Sequence, residues 1–299
     1  MSSSVIFRPT VKKLVWGLGP ALLIYGLMVV APLIYAIVHS LYTDFNYKYK
    51  FAGLSNYVTL VQDAEFWLAL KNNFSIIGVN LFLQIGLAFI VALVMSSKLV
   101  TAKEFIRIFI FFPVILTPIV VAFLWTLIYD NDQGLLNVAL RGMNLDGWTR
   151  NWLVDPQIVM YAVIAPMTWQ YLGLFVVIFT AGLTSVPRDL LEAAEIDGAN
   201  ALKKTLYVTL PLMANTWKVI LVLSTANGIK VFEQPFAMTR GGPGSASTVL
   251  AIFAYNQSFL RSKLTYGSTI AIAMLLVTLL LIGLVTLLFN TIFLRRRNT

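Results

Sequence analysis

Six apolar segments separated by polar loops organise this 299-residue chain. They are 22 to 28 residues long, and a membrane-spanning helix needs about 20 predominantly apolar residues. The pattern therefore predicts an all-α integral membrane protein with six transmembrane helices. The predicted spans are residues 14–38, 73–96, 108–129, 158–183, 216–238 and 267–294.

Proline and polar residues interrupt two of these segments. Pro113 and Pro118 in the third predict a kink, which neighbouring helices can accommodate. The fifth is the least apolar and carries Lys230 and Glu233, whose spacing of three places them on one helix face where they can pair. The alternative is that both side chains lie near the outer interface and reach water. A short helix is expected near residues 135–141, in the loop after the third segment.

Composition excludes several functional classes. The chain is 59% hydrophobic and 12% charged, whereas soluble domains are about 25% charged. It has no cysteine and one histidine, His39, so disulfides, iron–sulfur clusters, thiol catalysis and a histidine-based metal site are excluded. It contains no Walker A pattern, so we expect that it does not hydrolyse ATP and is not itself an enzyme.

The basic residues predict the orientation. The net charge is +9, and with the N-terminus inside, 12 of the 22 Lys and Arg residues fall in cytoplasmic segments and 8 in outer segments. This bias predicts that both termini are cytoplasmic, and positions at span ends argue against nucleic-acid binding. The first apolar segment is too long for the core of a signal peptide and no small-residue cleavage site follows it, so we expect it to be retained.

One polar segment, residues 185–213, lies between the fourth and fifth apolar segments. Ser185 is a candidate N-cap and Pro187 suits a first helical turn. Gly198 can adopt the left-handed conformation that ends a helix, and a second helical stretch is expected to run until Pro211. The residues alone predict helix, tight turn, helix, and the alternative is an ordinary loop between spans.

The same segment resembles the EAA loop of permease subunits in bacterial ABC importers. The family pattern is Glu-Ala-Ala, three residues, Gly, and later a hydrophobic–Pro pair, and the segment fits it throughout. The resemblance implies the type I ABC importer permease fold, in which this loop forms a cytoplasmic coupling helix that docks in a cleft of a separate ATPase subunit. The residues that carry the pattern, and hence the implied coupling role, are Glu192, Ala193, Ala194, Asp197, Gly198, Ala199 and Pro211.

Two further elements resemble the same family. Residues 51–57, FAGLSNY, resemble its F.GL.NY element after the first span, although an aromatic belt at the interface is an alternative. Residues 238–250, MTRGGPGSASTVL, resemble the T-GGP---ST--L element of the MalF/UgpA-like permease of carbohydrate importers. Residues 255–259, YNQSF, follow it. The second element therefore narrows the expected substrate to a sugar or a sugar derivative.

The resemblance implies a permease subunit, in the bacterial inner membrane, of a binding-protein-dependent importer of a sugar or oligosaccharide. The implied partners are a second, MalG-like permease, two ABC ATPase subunits that bind ATP and Mg, and an extracytoplasmic solute-binding protein. A permease for a glycerophosphodiester or polyol is the alternative. An ion-coupled secondary transporter is a weaker rival, because Glu233 is the single embedded acidic residue. The expected organisation is residues 1–71 as tail, first span and outer loop, 72–294 as the transporter domain, and 295–299 as a basic tail.

Candidates for a substrate pathway follow from sugar chemistry. Aromatic faces can pack on sugar C–H faces, and amides and carboxylates can bond hydroxyl groups. For any single aromatic residue, core packing or anchoring at the interface is the alternative. The candidates are Trp125, Tyr129, Trp169, Gln170, Tyr171, Asn227, Lys230, Glu233 and Gln234, with Asn80 and Gln84 in the second span.

Overall fold

The computed structural model describes residues 11–45, 48–96 and 103–295. Helix α1 (Lys12–Ser40) is followed by strands β1 (Tyr42–Phe45) and β2 (Lys48–Phe51). Next come α2 (Ser55–Gln62), α3 (Ala64–Ser96), α4 (Lys103–Ile115), α5 (Pro118–Ile128) and α6 (Leu135–Gly142). The remaining helices are α7 (Val159–Thr184), α8 (Arg188–Ile196), α9 (Ala201–Leu212), α10 (Ala214–Lys230), α11 (Glu233–Thr239), α12 (Leu250–Tyr255) and α13 (Leu264–Arg295).

The helices α1, α3, α7 and α13 are each long and apolar enough to cross a membrane. Two further pairs pass this test only together, because each is sharply bent: α4 with α5 by 101°, and α9 with the α10–α11 segment by 72°. The described residues therefore contain four candidate spans, or six if each bent pair crosses as one. Each predicted apolar segment overlaps one of these helices or pairs.

A hairpin in the loop after α1 departs from the predicted all-α fold. Strands β1 and β2 pair antiparallel, with Tyr42 opposite Phe51. The Asn56 side chain holds the hairpin to the end of α1, donating to the carbonyl oxygens of Ser40 at 3.1 Å and Tyr42 at 2.6 Å. The FAGLSNY element thus has a structural role as a clamp at the end of α1.

The third apolar segment bends between the two prolines that predicted a kink, but the bend is a break between two helices rather than a kink within one. Helix α4 continues for two residues beyond Pro113, and α5 begins with Pro118 after an extended Thr117. The break leaves the carbonyl oxygen of Leu116 without a helical partner. The side-chain amide of Gln170, on α7, donates to this oxygen at 2.8 Å.

The fifth apolar segment is also interrupted, between Lys230 and Glu233. Asn73 of α3 stabilises this interruption. Its amide nitrogen donates to the carbonyl oxygens of Gly228 at 2.7 Å and Ile229 at 3.1 Å, and its amide oxygen accepts from the backbone of Leu250 at 2.9 Å. One buried side chain therefore fixes the end of α10 and the start of α12.

Helix α3 starts nine residues before the predicted span, because the Asp63 carboxylate caps it by accepting from the Glu65 N–H at 2.9 Å. It contains a π-helical turn at Asn80–Gln84, a feature that occurs often at functional sites. Its second half packs against α7 and α10 in a core that includes Phe89, Phe179 and Ile220.

Candidate functional site

A cavity of about 320 Å³ lies among α3, α7, α10 and the two helix breaks. Polar side chains enter it from four elements: the π-helical turn of α3, the middle of α7, the C-terminal half of α10, and the first turn of α11. Pro118, at the start of α5, and Met167 add apolar surface. The polar lining is Asn80, Gln84, Tyr171, Ser224, Asn227, Lys230, Glu233 and Gln234.

Three buried polar atoms in this lining lack a hydrogen-bond partner among the described residues. They are the amide oxygen of Asn80, the hydroxyl of Ser224 and the amide nitrogen of Gln234. Buried polar groups are nearly always paired, and an unpaired one costs about 1–3 kcal/mol. One acceptor, one donor and one group that does both together suit a ligand rich in hydroxyl groups.

The two charged residues of the cavity sit on different helices. Lys230 is the last residue of α10 and Glu233 the first of α11, so the predicted shared helix face was wrong. Each charge stands at the helix end whose dipole favours it, a cation at a C-terminus and an anion at an N-terminus. No ion pair within 4.0 Å joins them in the described part of the chain, and both remain exposed to the cavity.

The predicted pathway residues separate into three groups. Tyr171, Asn227, Lys230, Glu233 and Gln234 line the cavity, together with Asn80 and Gln84. Gln170 is buried, and its amide donates to the carbonyl oxygen of Leu116 in the break before α5. Trp125, Tyr129 and Trp169 lie outside this cavity.

The aromatic group belongs to a different region. The rings of Trp125 and Trp169 meet edge to face with centroids 6.0 Å apart, and both line a second cavity of about 820 Å³ with Asp130. The backbone N–H groups of Gln133 and Asp132 donate to the Asp130 carboxylate and hold its pKa below its usual value. Tyr129 is buried in the adjoining core.

Sequence reasoning did not select one polar residue of the cavity, Ser224, or its apolar lining, which includes Met167 and Pro118. A signal for Ser224 existed, since it precedes Asn227 by three residues and so shares its helix face. No group of three or more His, Cys, Asp or Glu side chains is arranged to hold a metal ion in the described ranges.

The polar segment 185–213 forms the expected helix, turn and helix. Helix α8 ends in a Schellman motif: Gly198 has φ +78°, its N–H donates to Glu195 at 3.0 Å, and the Ala199 N–H donates to Ala194 at 2.9 Å. Helix α9 is capped by Asn200, and Lys204 of α9 forms an ion pair with Glu195 of α8.

Two predicted boundaries in this segment were wrong. The Ser185 hydroxyl donates to the carbonyl of Gly182 at 2.7 Å and so belongs to the end of α7, while α8 starts at Arg188 after Pro187. Pro211 lies inside α9, and the bend follows at Met213.

The exposed surface of segment 185–213 carries both polar and apolar side chains. Glu192, Ala193, Asp197 and Gly198 are exposed, and Ala194 and Ala199 are half-buried. Beside them Ile196 is 86% exposed and Tyr207 is 76% exposed. Large apolar side chains displayed this openly are typical of a protein–protein contact.

Comparison with known proteins places the chain in a family. A profile described as "Binding-protein-dependent transport system inner membrane component" matches residues 84–299. The probable ABC transporter permease protein YurN of Bacillus subtilis is 35% identical over 88% of this chain and 91% of its own length. The arabinooligosaccharides transport system permease protein AraP of Bacillus subtilis is 29% identical over 90% of this chain and 85% of its own.

Among solved structures, a chain of a bacterial alginate ABC transporter, in complex with alginate pentasaccharide-bound periplasmic protein, aligns with a TM-score of 0.82 at 21% identity. It covers 94% of both chains. That similarity establishes the fold as that of an ABC importer permease. Family profile, relatives and fold agree that the chain belongs to the binding-protein-dependent transport system inner membrane components, a family of multi-pass ABC transporter permease subunits.

Proposed function

We propose that this subunit forms half of the pathway through which an ATP-driven importer moves a sugar or oligosaccharide across the bacterial inner membrane. The observation that carries the proposal is the cavity with three buried polar atoms, from Asn80, Ser224 and Gln234, that find no hydrogen-bond partner in the described part of the chain. Relatives such as AraP are named for oligosaccharide transport. The hydroxyl groups of a sugar can both donate and accept hydrogen bonds, so they can pair with the acceptor of Asn80, the donor of Gln234 and the hydroxyl of Ser224.

The proposed topology has six spans with both termini in the cytoplasm. Each bent pair then crosses the membrane once, and the breaks lie at the depth of the cavity. Non-helical backbone at membrane depth is tolerated where it lines a cavity or is buried in protein. The two breaks here meet both conditions, since Pro118 and Glu233 line the cavity and Gln170 and Asn73 bond the freed backbone groups.

Coupling to a separate ATPase is assigned to the segment of α8 and α9. Glu192, Ala193, Ala194, Asp197, Gly198, Ala199 and Pro211 carry the family pattern, and Ile196 and Tyr207 supply exposed apolar anchors. Helix α9 leads through the bend at Met213 into α10, which bears Ser224, Asn227 and Lys230. A shift of the docked segment would therefore move the cavity wall directly.

The proposed assembly contains this chain, a second permease, two ATPase subunits that bind ATP and Mg, and an extracytoplasmic binding protein. The decisive experiment measures ATP hydrolysis of the reconstituted complex while its binding protein is offered neutral, acidic and amino saccharides, polyols and glycerophosphodiesters. Stimulation and uptake with one saccharide class are expected. Stimulation by a glycerophosphodiester alone would favour the alternative substrate, for which Lys230 would hold the phosphate.

A further inference from the structure

A polar pocket of about 360 Å³ lies at the opposite end of the fold from the segment of α8 and α9. It is enclosed by β1, α2, the π-helical turn Asn256–Leu260 that follows α12, and the start of α13. Every residue that lines it is polar, in contrast to the apolar surfaces around it. The residues on which its properties depend are Asp44, Asn56, Asp63, Gln257, Arg261 and Lys263.

Two sequence elements that the transport cavity leaves unexplained converge on this pocket. Asn56 comes from FAGLSNY and Gln257 from YNQSF, two hundred residues later. The amide nitrogen of Asn56 is already used by the clamp on α1. Gln257 is 3% exposed, yet its amide oxygen has no hydrogen-bond partner in the described ranges. The pocket thus holds a buried acceptor that needs a donor from elsewhere.

The remaining walls are held in place by hydrogen bonds. The Asp44 carboxylate accepts from the Thr265 hydroxyl at 2.7 Å, and the Asp63 carboxylate accepts from the Tyr266 hydroxyl at 2.7 Å. The pocket is therefore largely pre-formed, and a ligand would not have to order it first.

The exposed charges at the rim of the pocket are mainly cationic. Arg261 and Lys263 are exposed at its edge, and Lys50 stands on β2 directly opposite the pocket residue Thr43. Of the acidic groups nearby, only Asp44 is exposed, while Asp63 and Glu65 are half-buried. Glu65 approaches one side of Arg261 at 3.5 Å. All six charges together balance, and the positive excess is confined to the exposed side chains, where an incoming acidic group would meet three cations and one carboxylate.

We propose that this pocket receives an acidic loop of the extracytoplasmic binding protein. A donor group of that loop would bond the amide oxygen of Gln257, and a carboxylate of the loop would lie between Arg261 and Lys263. This inference rests on the proposed function, which puts the pocket on the outer face. Docking here also has a short route to the transport cavity, because α12 leads from the Gln257 turn to Leu250, whose N–H is held by the same Asn73 that ends α10.

The test titrates the loaded binding protein against ATP hydrolysis of the full reconstituted complex. Replacing Lys263 and Lys50 together by Glu is expected to raise the half-saturating concentration about tenfold at low salt, with less effect at high salt and the same maximal rate. Arg150→Glu, at an exposed basic position in another loop that the proposed topology places outside, is the charge-matched control for Lys263→Glu alone. An equal effect of the control would overturn the inference in favour of general electrostatic attraction.

The variant Gln257→Leu distinguishes a loss of binding-protein docking from a loss of stability. It removes an unpaired buried acceptor, so the thermal midpoint of the complex should stay or rise, while the half-saturating concentration rises. An unchanged half-saturating concentration in Gln257→Leu and in the double charge variant would overturn the inference. So would charge effects that appear only in vesicles of anionic lipid, since these would assign the rim to lipid headgroups.

The absence of native cysteine allows a direct check of sidedness. In right-side-out vesicles, Lys263→Cys is expected to react with a membrane-impermeant maleimide and to be protected by the loaded binding protein. Reaction only from the cytoplasmic side would contradict the proposed topology itself. Reaction from outside without protection would contradict the docking site alone.

Discussion

The amide nitrogen of Asn73 lies 2.7 Å from the carbonyl oxygen of Gly228, and this hydrogen bond joins α3 to the last turn of α10. Asn73 also accepts from the Leu250 N–H at 2.9 Å. Because α10 stops here, Lys230 is the last residue of α10 and Glu233 is the first residue of α11, and both face the cavity. The polar lining of the cavity thus depends on a side chain that does not line it.

Replacing Asn73 by Leu should destabilise the protein and reduce uptake. The change leaves buried backbone groups of α10 and α12 unpaired, at about 1–3 kcal/mol for each. Thermal unfolding of the purified complex and uptake into vesicles measure the two effects. Ser75→Ala on the same helix is the control, because its exposed hydroxyl bonds only the backbone one turn away. Equal midpoints for the two variants would show that Asn73 does not hold the break.

Gly228→Ala tests how closely α10 approaches α3. A Cβ at this position would stand 2.5 Å from Cγ1 of Ile77, so the helices must separate, and overpacking of this kind costs about 1–3 kcal/mol. We expect a lower thermal midpoint and slower uptake, with partial recovery in Gly228→Ala combined with Ile77→Ala. Gly86→Ala on α3 is the control, since nothing lies within 4 Å of its Cβ position. Failure of the double variant to recover would place the defect outside this contact.

Ser224→Ala and Gln234→Leu should affect transport and stability in opposite directions. Each removes a buried polar atom that lacks a partner within the described residues, so the thermal midpoint should hold or rise. Each also removes a hydrogen bond to the passing substrate, which we expect to slow maximal uptake roughly two- to tenfold. Thr225→Val is the matched control, since its hydroxyl is already bonded to Leu221 at 2.8 Å: it should lose stability and keep uptake. Normal uptake in both cavity variants would contradict the assignment of the cavity.

Features set by local physics were predictable from the sequence. The apolar segments are visible because hydrophobic length alone identifies candidate spans. The left-handed turn at Gly198 was predictable because glycine followed a short amphipathic stretch, and the turn indeed has φ +78°. Asn227 and Glu233 were predictable as pathway residues because polar groups are costly in an apolar segment.

Features set by distant contacts were not predictable. The 101° bend between α4 and α5 depends on Gln170 of α7, and the break after Lys230 depends on Asn73 of α3. Trp125 and Trp169 were grouped with the cavity by their chemistry, but the rotation of their helices directs them into another cavity. The hairpin at Tyr42–Phe51 was hidden because its strands are only four residues long.

Gly198 provides the test of the coupling segment. A Cβ there has nothing within 4 Å, so Gly198→Ala suffers only from the positive φ of +78°, a cost of about 1–2 kcal/mol. We expect the turn between α8 and α9 to distort, and the number of substrate molecules moved per ATP to fall while ATP hydrolysis continues. Gly198→Asn should retain more coupling, because Asn tolerates this conformation.

The matched control is Gly53→Ala, which carries similar strain at φ +57° and an equally open Cβ position, but in the loop after β2. It is expected to lower stability by a similar amount without changing the ratio of transport to ATP hydrolysis. This comparison separates backbone strain from coupling, since both variants introduce the same methyl group at a glycine of positive φ. If the two variants change the ratio equally, or if Gly198→Pro leaves it at the wild-type value, the segment of α8 and α9 does not transmit ATP-driven movement to α10.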